Sequence, residues 1–212
     1  MTSRTRVLDA VRVALGDVAP SEKPEQVQVP RNYDVSRPGD PGELFAERVA
    51  EYRGVVRRID AAAVPSTVRD ICRAAQVTRL VVPPQIDQAW LPDGDLEVLP
   101  DGGLSAIELD GFDGVLTGCC LAIGETGTIV LDGGRTSGRR AITLVPDVHI
   151  CVVREDQIVS SVPEAIERLH DAVARARAPL TFVSGPSATS DIEFRRVEGV
   201  HGPRRLEVLL IT

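Results

Sequence analysis

The order of secondary structure is clearest in residues 149–177, which read HICVVREDQIVSSVPEAIERLHDAVARAR. The first five residues form a mostly apolar run, which predicts a short strand buried on both faces. Residues 162–177 then place Ile166, Leu169 and Val173 on one side at helical spacing, which predicts an amphipathic helix. A buried strand followed by a helix is typical of a parallel sheet covered by helices.

The same alternation extends along the chain in both directions. Short apolar runs predict strands, and helical patterns that end in polar caps or glycine separate them. The expected strands are 55–59, 79–82, 96–99, 115–118, 128–131, 149–153, 180–184 and 206–211, and the expected helices are 43–53, 66–75 and 162–177, with helical turns at 85–90 and 139–144. The sequence therefore predicts an α/β fold with an open, mostly parallel sheet and helices on both faces.

The chain of 212 residues is expected to divide near residue 42. The first 18 residues predict a helix, because their apolar side chains recur at helical spacing. Five prolines then lie in the polar stretch 19–42, which is typical of an arm or linker. We therefore expect an N-terminal helix and proline-rich arm in residues 1–42 and one α/β domain in residues 43–212.

Charge and composition exclude several functions. The 31 acidic residues outnumber the 24 basic ones, which argues against broad nucleic-acid binding. The only lysine is Lys23, so no lysine is placed for a Schiff base or a phosphate-binding loop. No apolar run is long enough to span a membrane and no secretory signal is evident, so a cytoplasmic location is expected.

The cysteines and histidines do not form a recognisable metal motif. None of the four cysteines belongs to a C-x-x-C pair, and we expect all four to be reduced and mostly buried. The three histidines are far apart in the sequence. We therefore expect no metal and no cofactor in this chain.

Four glycine-containing segments are candidates for chemistry. In residues 124–128, GETGT, Glu125 lies between glycines and suits a nucleophile or a general base; the alternative is a tight turn with a solvated glutamate. Residues 133–140 combine glycines, hydroxyls and arginines, which suits an anion or a hairpin loop. Residues 184–193 carry a hydroxyl cluster and a capping box, and residues 199–203 place His201 between glycines.

Taken together, four blocks resemble the LUD domain family in its lactate utilization protein C-like form. The blocks are GETGTIVL at 124–131, GRRAITLVPDVHICVVREDQIV at 138–159, GPSATSDIE at 185–193 and GVHGPRRLEVLLI at 199–211. The resemblance extends from about residue 43 to residue 212. It implies the fold shared by ribose-5-phosphate isomerase, glucosamine-phosphate deaminase and CoA transferases.

The resemblance also implies candidate site residues. The positions that match the family are Glu125, Thr126, Gly127, Thr128, Arg140, Pro146, His149, Gly185, Pro186, Ser187, Asp191, Glu193, His201, Gly202 and Pro203. Among them Glu125 and His201 are the catalytic candidates, and the substrate-binding candidates are Thr126, Gly127, Thr128, Arg140, Gly185, Ser187, Asp191 and Gly202. We expect these loops to converge on one cleft at the carboxyl ends of the strands.

Three functions stay open at this point. The resemblance implies a component of the bacterial system that oxidises L-lactate to pyruvate, whose partner subunits carry the iron–sulfur clusters while this chain holds none. The alternative is a free-standing transferase or isomerase that uses Glu125 on a small anionic substrate or a CoA ester. The third is a ligand-binding regulator.

Overall fold

The structure, a computed structural model, describes residues 2–16, 23, 28–30, 32–176, 179–189, 197–199 and 201–212. The chain forms two compact units, with the division between Tyr33 and Asp34. Residues 34–42, which we expected to belong to the arm, are part of the second unit.

The first unit contains one helix, α1 (Ser3–Ala14), within its described residues. The hydroxyl of Thr2 caps it by accepting a hydrogen bond from the backbone N–H of Thr5. The apolar side chains whose spacing predicted this helix are exposed to solvent; they include Val7, Leu8 and Val11.

The second unit carries the remaining elements. Its helices are α2 (Pro41–Glu51), α3 (Val64–Ala75), the single turn α4 (Ala106–Leu109) and α5 (Val162–Ala176). Its strands are β1 (Val55–Ile59), β2 (Arg79–Val82), β3 (Glu97–Pro100), β4 (Gly114–Gly118), β5 (Leu121–Ile123), β6 (Thr128–Leu131), β7 (Val148–Arg154), β8 (Ile158–Val159), β9 (Thr181–Val183), β10 (Ala188–Thr189), β11 (Val197–Glu198) and β12 (Arg205–Ile211). The expected helical turns at 85–90 and 139–144 are short 3₁₀ helices, Gln88–Trp90 and Arg140–Thr143.

Two sheets form the centre of this unit. The larger one has six parallel strands in the order β1-β12-β7-β4-β2-β3. The smaller one has four strands in the order β8-β5-β6-β9 and mixes parallel with antiparallel pairs. The predicted α/β fold with a mostly parallel sheet is confirmed.

Alternate residues of β7 show how the layers pack. Ile150 and Val152 belong to the core that α3 covers, whereas Cys151 and Val153 face α2 and the smaller sheet. α5 covers the outer face of the smaller sheet. Because apolar layers cover both faces of the larger sheet, its strands are continuous apolar runs.

The smaller sheet is the main difference from the expected arrangement. Only Cys119 and Cys120 separate β4 from β5, and over those two residues the chain passes from the larger sheet to the smaller one. Hydrophobic patterning predicts that a segment is a strand but not which sheet it joins, because non-local hydrogen bonds decide that.

The buried face of α5 also differs from the expectation. Ala165 and Leu169 face the core, whereas Ile166 is 54% exposed and Val173 is 42% exposed. The expected inward positions of Ile166 and Val173 were therefore wrong. The small side chain of Ala165 lies at the contact with the sheet. The prediction used the spacing of the larger apolar residues, and this spacing pointed to the face of the helix beside the buried one.

None of the described helices is both long enough and apolar enough to span a membrane.

Candidate functional site

A cavity of about 230 Å³ brings together residues from three of the segments that carried candidate residues. It lies where β7 and β12 begin and where β9 ends. The residues that line it are Arg140, Thr143, His149, Phe182, Val183, Ser184, Gly185, Pro186, Ser187, Ala188, His201, Gly202, Pro203 and Leu206.

Arg140 carries the positive charge of this cavity. Its Nη1 donates to the hydroxyl of Thr143 at 2.8 Å and to the carbonyl of Thr143 at 3.2 Å, which fixes the side chain. The Nε–Nη2 edge has no acceptor among the described residues, and no described carboxylate pairs with it. Burial lowers the pKa of Arg140, because it removes water from around the charged guanidinium.

His149 is a neutral imidazole next to that cation. The ring is buried, and its Nε2 lies 2.8 Å from the hydroxyl of Thr117. Burial, with a smaller contribution from the charge of Arg140, lowers the pKa of His149 to about 4. The ring therefore carries a single hydrogen at neutral pH.

The two loops on the opposite side are held by close backbone contacts. Gly185 has a φ of +81°, and a Cβ there would lie 2.5 Å from the Cβ of Tyr52, so only glycine fits. The backbone N–H of Ser187 donates to the carbonyl of Pro203 at 2.8 Å, and the backbone N–H of His201 donates to the hydroxyl of Ser187 at 3.2 Å. These bonds join the loop after β9 to the loop before β12.

A chain of hydroxyls reaches the cavity from the GETGT turn. Thr126 and Thr128 are 2.7 Å apart at their hydroxyl oxygens, and Thr128 is 2.7 Å from the hydroxyl of Ser184. Ser184 is the member that lines the cavity. Ser184 therefore connects Thr126 and Thr128 to the lining of the cavity.

Glu125 lies outside the cavity lining. One carboxylate oxygen accepts a hydrogen bond from the backbone N–H of Val162 at 2.7 Å, at the start of α5, and the other accepts one from Arg37 at 2.8 Å. The N–H of Val162 and the guanidinium of Arg37 hold the pKa of Glu125 below its usual range. The geometry gives this carboxylate a helix-capping role.

Gly127, in the same turn, packs directly against α2. Its φ is +59°, and a Cβ would lie 2.6 Å from the backbone nitrogen of Val49. The turn therefore packs against the backbone of α2 and lies outside the cavity lining.

The structure places the candidate residues as follows. Those that line the cavity are Arg140, Gly185, Ser187, His201 and Gly202. Asp191 lies outside the described residues, as do Ser190 and Glu193 of the expected capping box.

The position of the cavity differs from the expected carboxyl edge of the sheet. Arg140 and His201 lie in loops that precede β7 and β12, so they reach the amino ends of these strands. At the carboxyl ends of β2 and β3, Asp101 and Arg139 form a two-bond ion pair, with both distances 2.6 Å.

Sequence reasoning from the residues missed two members of the site. The residues themselves predicted only that His149 starts a buried strand, and the family match alone marked it as a candidate. Thr117 carried no signal, since a threonine within a strand is ordinary. One sequence feature could have indicated His149: it lies near the start of a strand, shortly after a loop that carries an arginine.

Among the described residues, no group of three or more His, Cys, Asp or Glu side chains is placed to hold a metal ion. The thiols of Cys72, Cys119 and Cys151 are buried and that of Cys120 is half-buried, and none forms a disulfide. Burial raises the pKa of Cys72 to about 11.

The fold and the cavity define an α/β protein of two packed sheets with a small cavity that has the cation Arg140 in its lining. The LUD domain matches residues 106–211. Lactate utilization protein C of Deinococcus radiodurans is 48% identical over 183 residues, which cover 84% of each chain. The chain therefore belongs to the LUD domain family.

Two further comparisons agree with this assignment. Lactate utilization protein C 1 of Bacillus mycoides is 35% identical over 94 residues, 43% of this chain and 40% of that protein. The crystal structure of a DUF162 family protein from Deinococcus radiodurans superposes with a TM-score of 0.69 at 40% identity, covering 82% of this chain and 100% of that one.

Proposed function

We propose that this protein is a component of a bacterial L-lactate utilization system and that its cavity binds a small organic carboxylate. The observation that supports the binding most directly is the Nε–Nη2 edge of Arg140, which has no acceptor among the described residues. The relatives named lactate utilization protein C support the system. We place the protein in the cytoplasm, with iron–sulfur proteins as its partners in the oxidation of lactate to pyruvate.

The electrostatics of the cavity favour an anion. Arg140 carries its charge without a described carboxylate nearby, and His149 beside it is neutral. A bound carboxylate would accept two parallel hydrogen bonds from the free guanidinium edge, which is the geometry in which arginine binds carboxylates best.

The size of the cavity favours a short ligand. A water molecule takes about 30 Å³ of the liquid, so about 230 Å³ corresponds to roughly seven or eight waters. Sites for drug-sized ligands usually occupy about 300–1,000 Å³. A three-carbon acid fits this volume, whereas a CoA ester would have to extend out of it into solvent.

The alternative function, a transferase or isomerase with Glu125 as nucleophile, receives less support. Both oxygens of Glu125 already accept hydrogen bonds, and Glu125 does not line the cavity. His201 does line it, so a role of its ring in proton transfer belongs to this proposal as a catalytic candidate. A non-catalytic binding role uses the same cavity.

A growth assay tests the cellular role. A strain that lacks the gene is complemented with wild-type protein, with Arg140→Ala or with Arg135→Ala, and grown on L-lactate. Arg135 is the matched control, because it is an exposed arginine of the same loop that does not line the cavity. We expect growth with wild type and Arg135→Ala and impaired growth with Arg140→Ala at equal protein levels. Normal growth of the strain without any copy of the gene contradicts the proposed system.

Calorimetric titration of the full-length protein tests the binding. We expect L-lactate or pyruvate to bind wild type and Arg135→Ala equally, and Arg140→Ala at least about tenfold more weakly. Equal binding by both variants contradicts the role of Arg140.

Copurification tests the partners. The tagged protein, isolated without oxygen from cells grown on L-lactate, is expected to carry proteins whose visible absorption is that of iron–sulfur clusters. Isolation without any cluster-bearing protein under these conditions contradicts the proposed partnership.

A further inference from the structure

A second cavity lies between α3 and the strands β1 and β12. It has a volume of about 510 Å³, and the residues that line it are Arg57, Ile59, Thr67, Asp70, Ile71, Ala74, Arg205 and Glu207. None of these residues lines the cavity around Arg140. A ligand of this second cavity would therefore contact a different set of residues.

Glu207 is a buried carboxylate in an interior strand. Its side chain is 2% exposed, and its neighbours in β12, Leu206 and residues 208–210, are buried and apolar. β12 pairs with β1 on one side and with β7 on the other. Replacing a buried ion pair with apolar residues of similar volume is often neutral or stabilising. Because stability alone does not favour a glutamate here, its presence indicates a role beyond packing.

Glu207 holds two arginine side chains at one place. Its Oε2 accepts a hydrogen bond from Nε of Arg57 at 3.3 Å, and its Oε1 accepts one from Nη2 of Arg205 at 3.2 Å. The two guanidinium groups are thus bound to the two oxygens of a single carboxylate. Both arginine side chains are almost half exposed. Their remaining N–H groups have no acceptor among the described residues.

The charges at this cavity leave an excess of one positive charge. Arg57 and Arg205 together outweigh the single carboxylate of Glu207. The other carboxylate in the lining, that of Asp70, lies 3.7 Å from Nη1 of Arg73, which balances it. The chain as a whole carries a net charge of -7, so this local excess is opposite in sign to the charge of the molecule. It favours an anion as the ligand.

We propose that this cavity binds the phosphate group of a small phosphate monoester. Arg57 and Arg205 donate hydrogen bonds to the phosphate oxygens, and Glu207 keeps the two guanidinium groups together. Two arginines supply several N–H donors, which suits the three free oxygens of a phosphate monoester better than the two oxygens of a carboxylate. The rest of the ligand lies along the apolar part of the lining, which includes Ile59 and Ile71. The volume allows this, because sites for small molecules usually occupy about 300–1,000 Å³.

Calorimetric titration of the full-length protein at low salt tests the class of ligand. The probes are phenyl phosphate and benzoate, which present a phosphate and a carboxylate on the same ring. We expect phenyl phosphate to bind at least about tenfold more tightly, because its additional charge and oxygens use more of the arginine donors. Equal affinities contradict the assignment to phosphate, and absence of phenyl phosphate binding overturns the inference.

Single substitutions locate the bound phosphate. Arg57→Ala and Arg205→Ala should each weaken the binding of phenyl phosphate at least about tenfold, because each removes charge-assisted hydrogen bonds. Arg58→Ala is the matched control, since Arg58 is an exposed arginine of the same strand that does not line the cavity. Arg140→Ala should also keep the wild-type affinity. Equal weakening by Arg58→Ala, or a loss only in Arg140→Ala, places the phosphate elsewhere and overturns the inference.

The variant Glu207→Met tests the premise about the buried carboxylate. We expect its melting temperature to equal or exceed that of wild type, because methionine has a similar volume and needs no ion pair. A melting temperature several degrees lower would give Glu207 a purely structural reason and remove the argument for a site.

Amide NMR of the wild-type protein gives a measurement that needs no variant. Phenyl phosphate should shift the backbone amide signals of residues 55–59 and 205–209 and leave those of residues 184–188 unchanged. Shifts confined to residues 184–188 overturn the inference, because these residues line the cavity around Arg140. Since the two cavities share no lining residue, failure of this inference leaves the proposed carboxylate site in place.

Discussion

At His149, burial and a neighbouring cation act on the same ring. The ordinary pKa of 6.5 is lowered to about 4 in the folded protein. Between these values the unfolded chain binds a proton that the folded protein does not bind. The free energy of unfolding therefore falls as the pH falls from about 6.5 to about 4, by up to roughly 3 kcal/mol.

Urea unfolding of wild type and His149→Gln between pH 5 and 6.5 checks this prediction. We expect His149→Gln to flatten the pH dependence in this range, whatever its stability at pH 7. An unchanged slope in His149→Gln contradicts the argument.

The carboxylate of Glu125 belongs to the start of α5. We predict that Glu125→Ala lowers the stability by about 1 kcal/mol, because it removes a helix cap and the pair with Arg37. The melting temperature should fall by about 2–4 °C, while binding of small carboxylates stays within twofold of wild type. Glu167→Ala, an exposed carboxylate of the same helix, should change neither quantity.

The catalytic hypothesis for Glu125 predicts a different pattern. If Glu125 is the nucleophile of a transferase, Glu125→Gln abolishes growth on L-lactate without a change in melting temperature. That result would refute the capping interpretation as a full account of this residue.

At the level of the elements, the GETGT turn packs directly against the backbone of α2. Gly127→Ala combines a positive φ with a Cβ placed 2.6 Å from a backbone nitrogen, neither of which side-chain motion relieves. We predict a loss of at least about 3 kcal/mol or failure to fold. Gly102→Ala has no atom within 4 Å of its new Cβ and no positive φ, so its thermal melt should match that of wild type.

The elements also show how far sequence reasoning reaches. Strands β1, β2 and β6 have the expected bounds, because each is a short apolar run between clear breaks. β5 was missed, since nothing in its three residues marks passage into another sheet. The same limit applies to the site. Arg140 and His201 lie in glycine-containing segments that the sequence marks. Thr117 meets His149 only because β4 pairs with β7, which the sequence does not show.

For the molecule as a whole, residues 34–40 are an integral part of the second unit. Arg37 pairs with Glu125 at 2.8 Å and donates its backbone N–H to Ser160 at 3.1 Å, and the carbonyl of Val35 accepts from the hydroxyl of Ser161. All three contacts lie beside the start of α5.

Two truncations test this assignment. Chains 34–212 and 41–212 both lack the first unit, so any difference between them comes from residues 34–40. We predict that the shorter chain melts about 5 °C lower, in line with the loss of a few hydrogen bonds and an ion pair. Equal melting temperatures would place the boundary of the domain near residue 42, where the sequence pattern predicted it.

The position of β9 has a consequence for local opening. This strand of three residues lies at the edge of the smaller sheet, pairs only with β6 among the described strands, and ends in the cavity. β7 and β12, on the other side of the cavity, are central in the larger sheet. A carboxylate held between them would link a short edge strand to two interior strands of the larger sheet. Amide hydrogens of β9 and the loop behind it should then exchange with solvent more slowly as ligand is added, while those of β3 keep their rates.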